Sequence, residues 1–312
     1  MTPDAHASDY HRPVLVEETL QLLEPERGGL FLDGTVGGGG HAEALLERGD
    51  SARLVGVDRD PDAIREAGRR LERFGDRVRL VRANFAAAVD AAGIAQGMLA
   101  GALLDLGVSS HQIDDTARGF TFRPGAPLDM RMEGAGGGES AAELLNRLPE
   151  EEMADLFRRW GEERRAKRLA RLLVETRETE PLRRSDQLVA AADRALGPAA
   201  RIADRARIFQ AVRIAVNREI DALQEALPEI RTALAPGGVF VVLSYHSLED
   251  RVVKNTFRDW STACTCPPGF PVCTCGGVAE GTLLARGVAA GEREVAANPR
   301  ARSARLRAWR RR

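Results

Sequence analysis

Cysteine is scarce in this 312-residue chain: there are four, all between positions 264 and 275. In a reducing compartment so few, so confined, are expected as thiols or metal ligands rather than as disulfides. Long apolar runs are missing too; nothing approaches the ~20 residues a membrane helix needs. The start, MTPDAHASDYHRPVL, has no charged-then-apolar leader pattern, so a cytoplasmic protein is expected. Net charge is only −1, which excludes a global basic field. Any nucleic-acid contact must come from a local patch, such as the arginine-rich end PRARSARLRAWRRR.

What is present alternates. Leu30 to Leu32 reads as a short buried strand ending at Asp33, followed by the glycine run Gly37–Gly40 and a short helix stopped at Gly49. Arg53 to Val57 is a second strand ending at Asp58. Asp60-Pro61 is a helix start, and Ile64, Ala67, Leu71 and Phe74 recur at helical spacing. Val78 to Val81 and Gly101 to Leu104 are two more strands, ending near Phe85 and at Asp105. This is the spacing of βαβ units and predicts a parallel sheet with helices on both faces.

The next clear strand is Val239 to Leu243, after Pro236-Gly237-Gly238. Roughly 130 residues separate it from Asp105, where a crossover needs only a few tens. A helical insertion over 111–205 is the economical reading, within a discontinuous α/β domain of 1–110 and 206–312. Ile208, Val212, Ala215, Val216, Ile220, Leu223 and Leu227 then predict one long helix returning to the sheet. At the C-terminus, Ala304 to Trp309 alternates small or apolar residues with arginine, as in a sheet-edge strand with one buried face whose arginines can meet phosphate.

Parallel sheets bind ligands beyond the carboxyl ends of their strands, and Asp33, Asp58, Phe85 and Asp105 all sit there. Glycine lets a ligand lie against bare N–H groups, and a mere turn does not need four in a row. An acid about 25 positions after the first strand's end is placed to accept ribose hydroxyls. Two cofactors fit: a dinucleotide, for which Gly37-x-Gly39-x-x-Ala42 is a weak match, and S-adenosylmethionine, whose enzymes often carry an acid like Asp33 and a Pro-Gly-Gly before strand five.

The motifs HRPVLVEE, DGTVGGGGH, VDRDPDAI, LLDLGVSSHQID, AVRIAVNREI, SYHSLEDRVVK and NPRARSARLR, in that order, closely resemble the bacterial 16S ribosomal RNA (cytosine-N4) methyltransferase family. The resemblance runs from about His11 to about Arg307. It implies a class I (Rossmann-like) S-adenosylmethionine-dependent methyltransferase sheet with a helical, substrate-recognising insertion after strand four. It also implies methyl transfer to the N4 amine of a cytidine in the decoding region. By this resemblance Gly39, Gly40, His41, Asp58, Phe85, Asp105 and Gln112 hold S-adenosylmethionine. The Asn/Asp/Ser-Pro-Pro-aromatic box of other amino-methylating enzymes is missing, which leaves the catalytic assignment open: Asp105, the loop carbonyls after it or groups of Ser244–Ser247 can accept from the amine, Tyr245 with His246 beside it is the candidate platform for the flipped base, and Asn217 is expected near the cleft. Implied partners are 16S RNA within the small ribosomal subunit and no membrane, with a homodimer left open. The alternatives are a non-catalytic RNA-binding assembly factor on the same scaffold, or an NAD-dependent oxidoreductase. No metal is expected: Cys264-x-Cys266 and Cys273-x-Cys275 are spaced tighter than most zinc pairs, and thiols in a mobile loop are preferred to zinc.

Overall fold

The computed structural model describes residues 13–198, 200–264, 266 and 275–312. It divides into two compact units: residues up to Gly107 with Ile220–Arg312, and Val108–Glu219.

The first unit is built on a seven-stranded sheet. Its strands are β1 (Gly29–Asp33), β2 (Ala52–Asp58), β3 (Val78–Arg82), β4 (Leu99–Asp105), β5 (Leu234–Ser244), β6 (Gly281–Val288) and β7 (Arg305–Arg311). Their order is β3-β2-β1-β4-β5-β7-β6. The first five run parallel, and the order reverses between β1 and β4, which opens a crevice at their carboxyl ends. This is the class I methyltransferase sheet.

Strand periodicity sorts the core. Val239, Val241 and Leu243 join one buried cluster with Phe31 and Leu103. Phe240 and Val242 join the other, with Leu32, Val57 and Leu104. Both faces are therefore covered, and the runs read as continuously apolar, as expected of a parallel sheet. Asp60 starts the helix Pro61–Leu71 as foreseen, its Oδ1 accepting the Asp62 N–H at 3.0 Å. Among the described residues no helix is long and apolar enough to cross a membrane.

Three expectations need correction. The sheet is not wholly parallel, because β7 runs antiparallel to both β5 and β6. Nor is the arginine-rich run an edge strand. β6, hidden in the sequence by its two glycines, takes the edge, so β7 is paired on both sides and Leu306, Arg307, Ala308 and Trp309 are all buried. Its arginines are largely consumed inside the fold. Arg307 forms a two-bonded ion pair with Asp250 (2.8 and 2.9 Å) and Arg310 pairs with Glu24 at 3.1 Å. Arg311 donates to the carbonyls of Arg231, Thr232 and Leu234. Third, the single returning helix is two, Ile202–Asn217 and Glu219–Ala233. Arg218 between them is left-handed (φ 51°), which ends a helix even where the apolar period runs on.

Among the described residues the second unit is built from helices, with one antiparallel bridge between Pro127 and Arg184. Helices Glu150–Gly161, Ala166–Thr179, Ser185–Leu196 and Ile202–Asn217 surround their own core, including Phe157, Leu169, Leu173, Leu188, Ile208 and Val212. It runs past residue 205 to Glu219 because Ile208, Phe209 and Val212 are buried in this core.

Candidate active site

The site in the first unit begins with the glycine loop between β1 and the helix Gly40–Arg48. Gly37 and Gly39 take left-handed φ of 51° and 80°, which residues with a Cβ adopt only with strain. Their N–H groups are not bare. Gly37 N–H donates to Asp58 Oδ2 at 2.9 Å, and Gly39 N–H to the Val36 carbonyl at 2.8 Å. Two donors that a pyrophosphate cradle would need are thus already used. Gly40 has a packing reason: a Cβ there would lie 2.9 Å from the Pro13 ring.

The loop instead organises carboxylates. Asp58 takes one N–H on each oxygen, Gly37 on Oδ2 and Asp60 on Oδ1, both at 2.9 Å. Each oxygen keeps a lone pair, so the pair can accept two vicinal hydroxyls. Burial pushes the Asp58 carboxyl up to about 6, against those two N–H bonds, which pull it down. Asp33, 3% exposed, is pushed up to about 8. Burial is the main cause, the Thr35 N–H (3.1 Å) opposes it, and the charges of Asp105 and Asp58 raise it further. Three acidic side chains at the ends of adjacent strands thus crowd one crevice, and with its carboxyl raised to about 8 Asp33 keeps its proton at pH 7 rather than add a further negative charge. A cation relieves that crowding and an anion worsens it.

Asp105 ends β4. Its N–H donates to Thr35 Oγ1 at 2.6 Å, and Tyr245 from the end of β5 donates its hydroxyl to Oδ1 at 2.7 Å. On the other oxygen, His41 Nδ1 stands 3.6 Å from Oδ2. His41 Nε2 lies 2.9 Å from the Val14 carbonyl. A carbonyl only accepts, so Nε2 carries the proton and Nδ1 faces Asp105. Burial first, then the Asp105 charge, holds the Tyr245 phenol well above its ordinary value, so it stays a donor. Gly107 sits against the ring; a Cβ there would be 3.5 Å from Tyr245 Cδ2.

The structure therefore brings together Gly39, Gly40, His41, Asp58, Asp105 and Tyr245, with half-buried Phe85 following β3. His246 caps the helix Ser247–Trp260 through Nδ1, which accepts the Glu249 N–H at 3.4 Å. Its Nε2 is 3.1 Å from Glu249 Oε1 but outside hydrogen-bonding geometry. Gln112 and Asn217 belong to the second unit. Gln112 closes a capping box with Ser109. Asn217, 3% exposed, accepts from Met132 N–H and donates to the Met130 and Arg213 carbonyls. It thereby holds Met130, whose φ is 61°.

Sequence reasoning passed over two residues. Thr35 anchors the Asp105 main chain from inside the glycine loop. Glu249, 2% exposed, accepts the Tyr245 N–H at 3.0 Å. A polar N-cap followed three residues later by Glu was the available signal.

The donor set fits S-adenosylmethionine, the cofactor of this fold class. Asp58 could accept two vicinal hydroxyls, half-buried Phe85 could present a ring face to a base, and the Asp33–Asp105 crevice could take a cation. Residues 8–312 match the model of the MraW methylase family. The chain is 52% identical to the ribosomal RNA small subunit methyltransferase H of Gemmatimonas aurantiaca, over 99% of this chain and 97% of that one. It is 49% identical to the proteins of that name from Heliobacterium modesticaldum (96% and 97% covered) and Syntrophotalea carbinolica (96% and 98%). With the carboxylate crevice, the sheet order and a match over nearly its whole length, the chain belongs to the MraW methylase family.

Proposed function

We propose that this chain methylates the exocyclic N4 amine of a cytidine in 16S ribosomal RNA, in the decoding region, with S-adenosylmethionine as donor. The observation that carries the reading is the Asp105 carboxylate, held by the Tyr245 hydroxyl at the carboxyl end of β4. A carboxylate only accepts hydrogen bonds, which is what an amine nucleophile needs beside it.

The cytosine amine is a poor nucleophile because its lone pair is delocalised into the ring. When bound, S-adenosylmethionine supplies a methyl group already activated by a sulfonium. The protein's task is placement, with the nitrogen ~3–3.5 Å from the carbon it attacks and in line with the leaving sulfur. Asp105 accepts an N–H of the amine, which draws the nitrogen out of plane. Tyr245 and Thr35 keep Asp105 from turning away. A strong base is unnecessary, since the nitrogen's proton becomes acidic once the bond has formed. The base must leave its stack to enter. The second unit, Val108–Glu219, is the part we assign to recognition of 16S RNA, and the assay below says whether the substrate is the assembled subunit or free RNA.

A dinucleotide oxidoreductase is disfavoured by the occupied loop N–H groups and the acidic crevice. An assembly factor without catalysis would have no use for the Tyr245–Asp105 bond. The test is transfer of labelled methyl to small subunits lacking the modification, beside free 16S RNA, with nucleoside analysis. N4-methylcytidine from wild type and none from Asp105→Ala supports the reading. Tight cofactor binding without label in RNA overturns the substrate.

A further inference from the structure

We propose that Cys264, Cys266 and Cys275 together bind one zinc ion as thiolates, in a structural site remote from the chemistry. They lie in the segment between the helix Ser247–Trp260 and β6. The segment's neck is closed: Glu280 N–H donates to the Trp260 carbonyl at 2.9 Å. Just inside, the two chain ends nearly touch. A Cβ on Gly277 would lie 2.0 Å from the Ala263 carbonyl oxygen and 3.5 Å from Cys275 Sγ. Only glycine permits that approach, and it brings Cys275 against Cys264 from across the loop.

The sulfur positions carry the inference. All three Sγ atoms lie within 4.8 Å of one another, and none of the three is in a disulfide. Cys264 Sγ and Cys275 Sγ are 3.9 Å apart. Two thiolates ~2.3 Å from a tetrahedral zinc are ~3.8 Å apart by trigonometry. The tight Cys264-x-Cys266 spacing is no obstacle here, because the third sulfur arrives from Cys275 rather than from the same turn. Soft thiolates with this separation select zinc over the oxygen-seeking cations. On binding, each S–H loses its proton to solvent as a Zn–S bond forms. Three thiolates and one dication leave a net charge of −1, and the fourth position takes water or another donor. Cys273 lies outside the described residues and enters only through the test.

The test uses the untagged full-length chain, purified with reductant and without chelator. Elemental analysis is expected to give about one zinc per chain, falling at least tenfold in Cys264→Ser/Cys275→Ser while cofactor affinity is unchanged. Cobalt titrated into the reduced, metal-free chain is expected to give the intense bands of a tetrahedral thiolate site, and Cys273→Ser reports whether the fourth ligand is sulfur. A second measurement avoids variants: zinc is expected to slow alkylation of Cys264, Cys266 and Cys275 together, and a chelator to restore it. Reduced chain that takes up no zinc, zinc retained by the double variant, or alkylation rates indifferent to zinc overturns the site.

Discussion

Tyr245→Phe isolates one hydrogen bond. The variant removes the hydroxyl that donates to Asp105 Oδ1 at 2.7 Å and leaves the ring against Gly107. A bond to a charged acceptor is worth about 1.5–3 kcal/mol. Asp105 retains about a tenth of its side-chain surface exposed, so water can replace part of the loss and the lower end applies. At 1.4 kcal/mol per decade, kcat falls about tenfold. The cofactor's Kd should rise by less than kcat falls, since Asp58 and the glycine loop are untouched and only the Asp105 side of the crevice is loosened. In an Asp105→Asn background the same change should cost little more, because the partner is already altered. The phenol is held well above its ordinary value, so wild-type kcat should show no decline from tyrosinate formation up to about pH 10. Single-turnover methylation of saturating RNA, with calorimetry for the cofactor, measures all of this. Wild-type kcat in Tyr245→Phe, with loss only in Tyr245→Ala, would refute the reasoning and assign the residue a purely steric role.

Three further outcomes follow from packing and charge. Gly281→Ala places a Cβ 2.3 Å from the Trp309 ring and 2.2 Å from the Arg310 carbonyl oxygen, and overpacking of this kind costs about 1–3 kcal/mol. The denaturant midpoint should fall accordingly. Arg307→Leu strands the Asp250 carboxylate. Losing a buried partner costs about 3–5 kcal/mol, reduced here because Asp250 is 24% exposed, and the double variant with Asp250→Leu should recover part of it. Third, Asp33 and Asp58 are raised in the folded chain to about 8 and about 6 from an ordinary 3.8. The folded state then holds protons the unfolded state has lost. Stability from these groups is fully present below the unfolded pKa and declines as pH rises through the folded ones. Denaturant midpoints of the cofactor-free chain should drop across that window, and less so in Asp33→Asn.

Much of the site was legible because its residues end strands. Asp33, Asp58 and Asp105 each close a short apolar run, and a parallel sheet delivers such ends to one crevice. The glycine loop was legible as a place but not as a device. Nothing local tells that Gly37 N–H is given to Asp58 rather than to a ligand. Partnering was also invisible. The alternation in Ala304–Trp309 describes a strand, but whether it lies at the edge depends on β6. In β6 two glycines dilute the pattern, and only alternate residues are covered. The break at Arg218 escaped because the apolar period continues across it while one residue turns left-handed.

Selection of a cationic cofactor by buried carboxylates is open to direct test. Its most direct measurement is the proton count on binding S-adenosylmethionine at pH 7, by calorimetry in buffers of different ionisation enthalpy. With Asp33 raised to about 8, the carboxyl is largely protonated before binding, and a cation beside it favours ionisation. Wild type should release a substantial fraction of a proton on binding, and Asp33→Asn much less. No proton release, or the same release in both proteins, would contradict that selection.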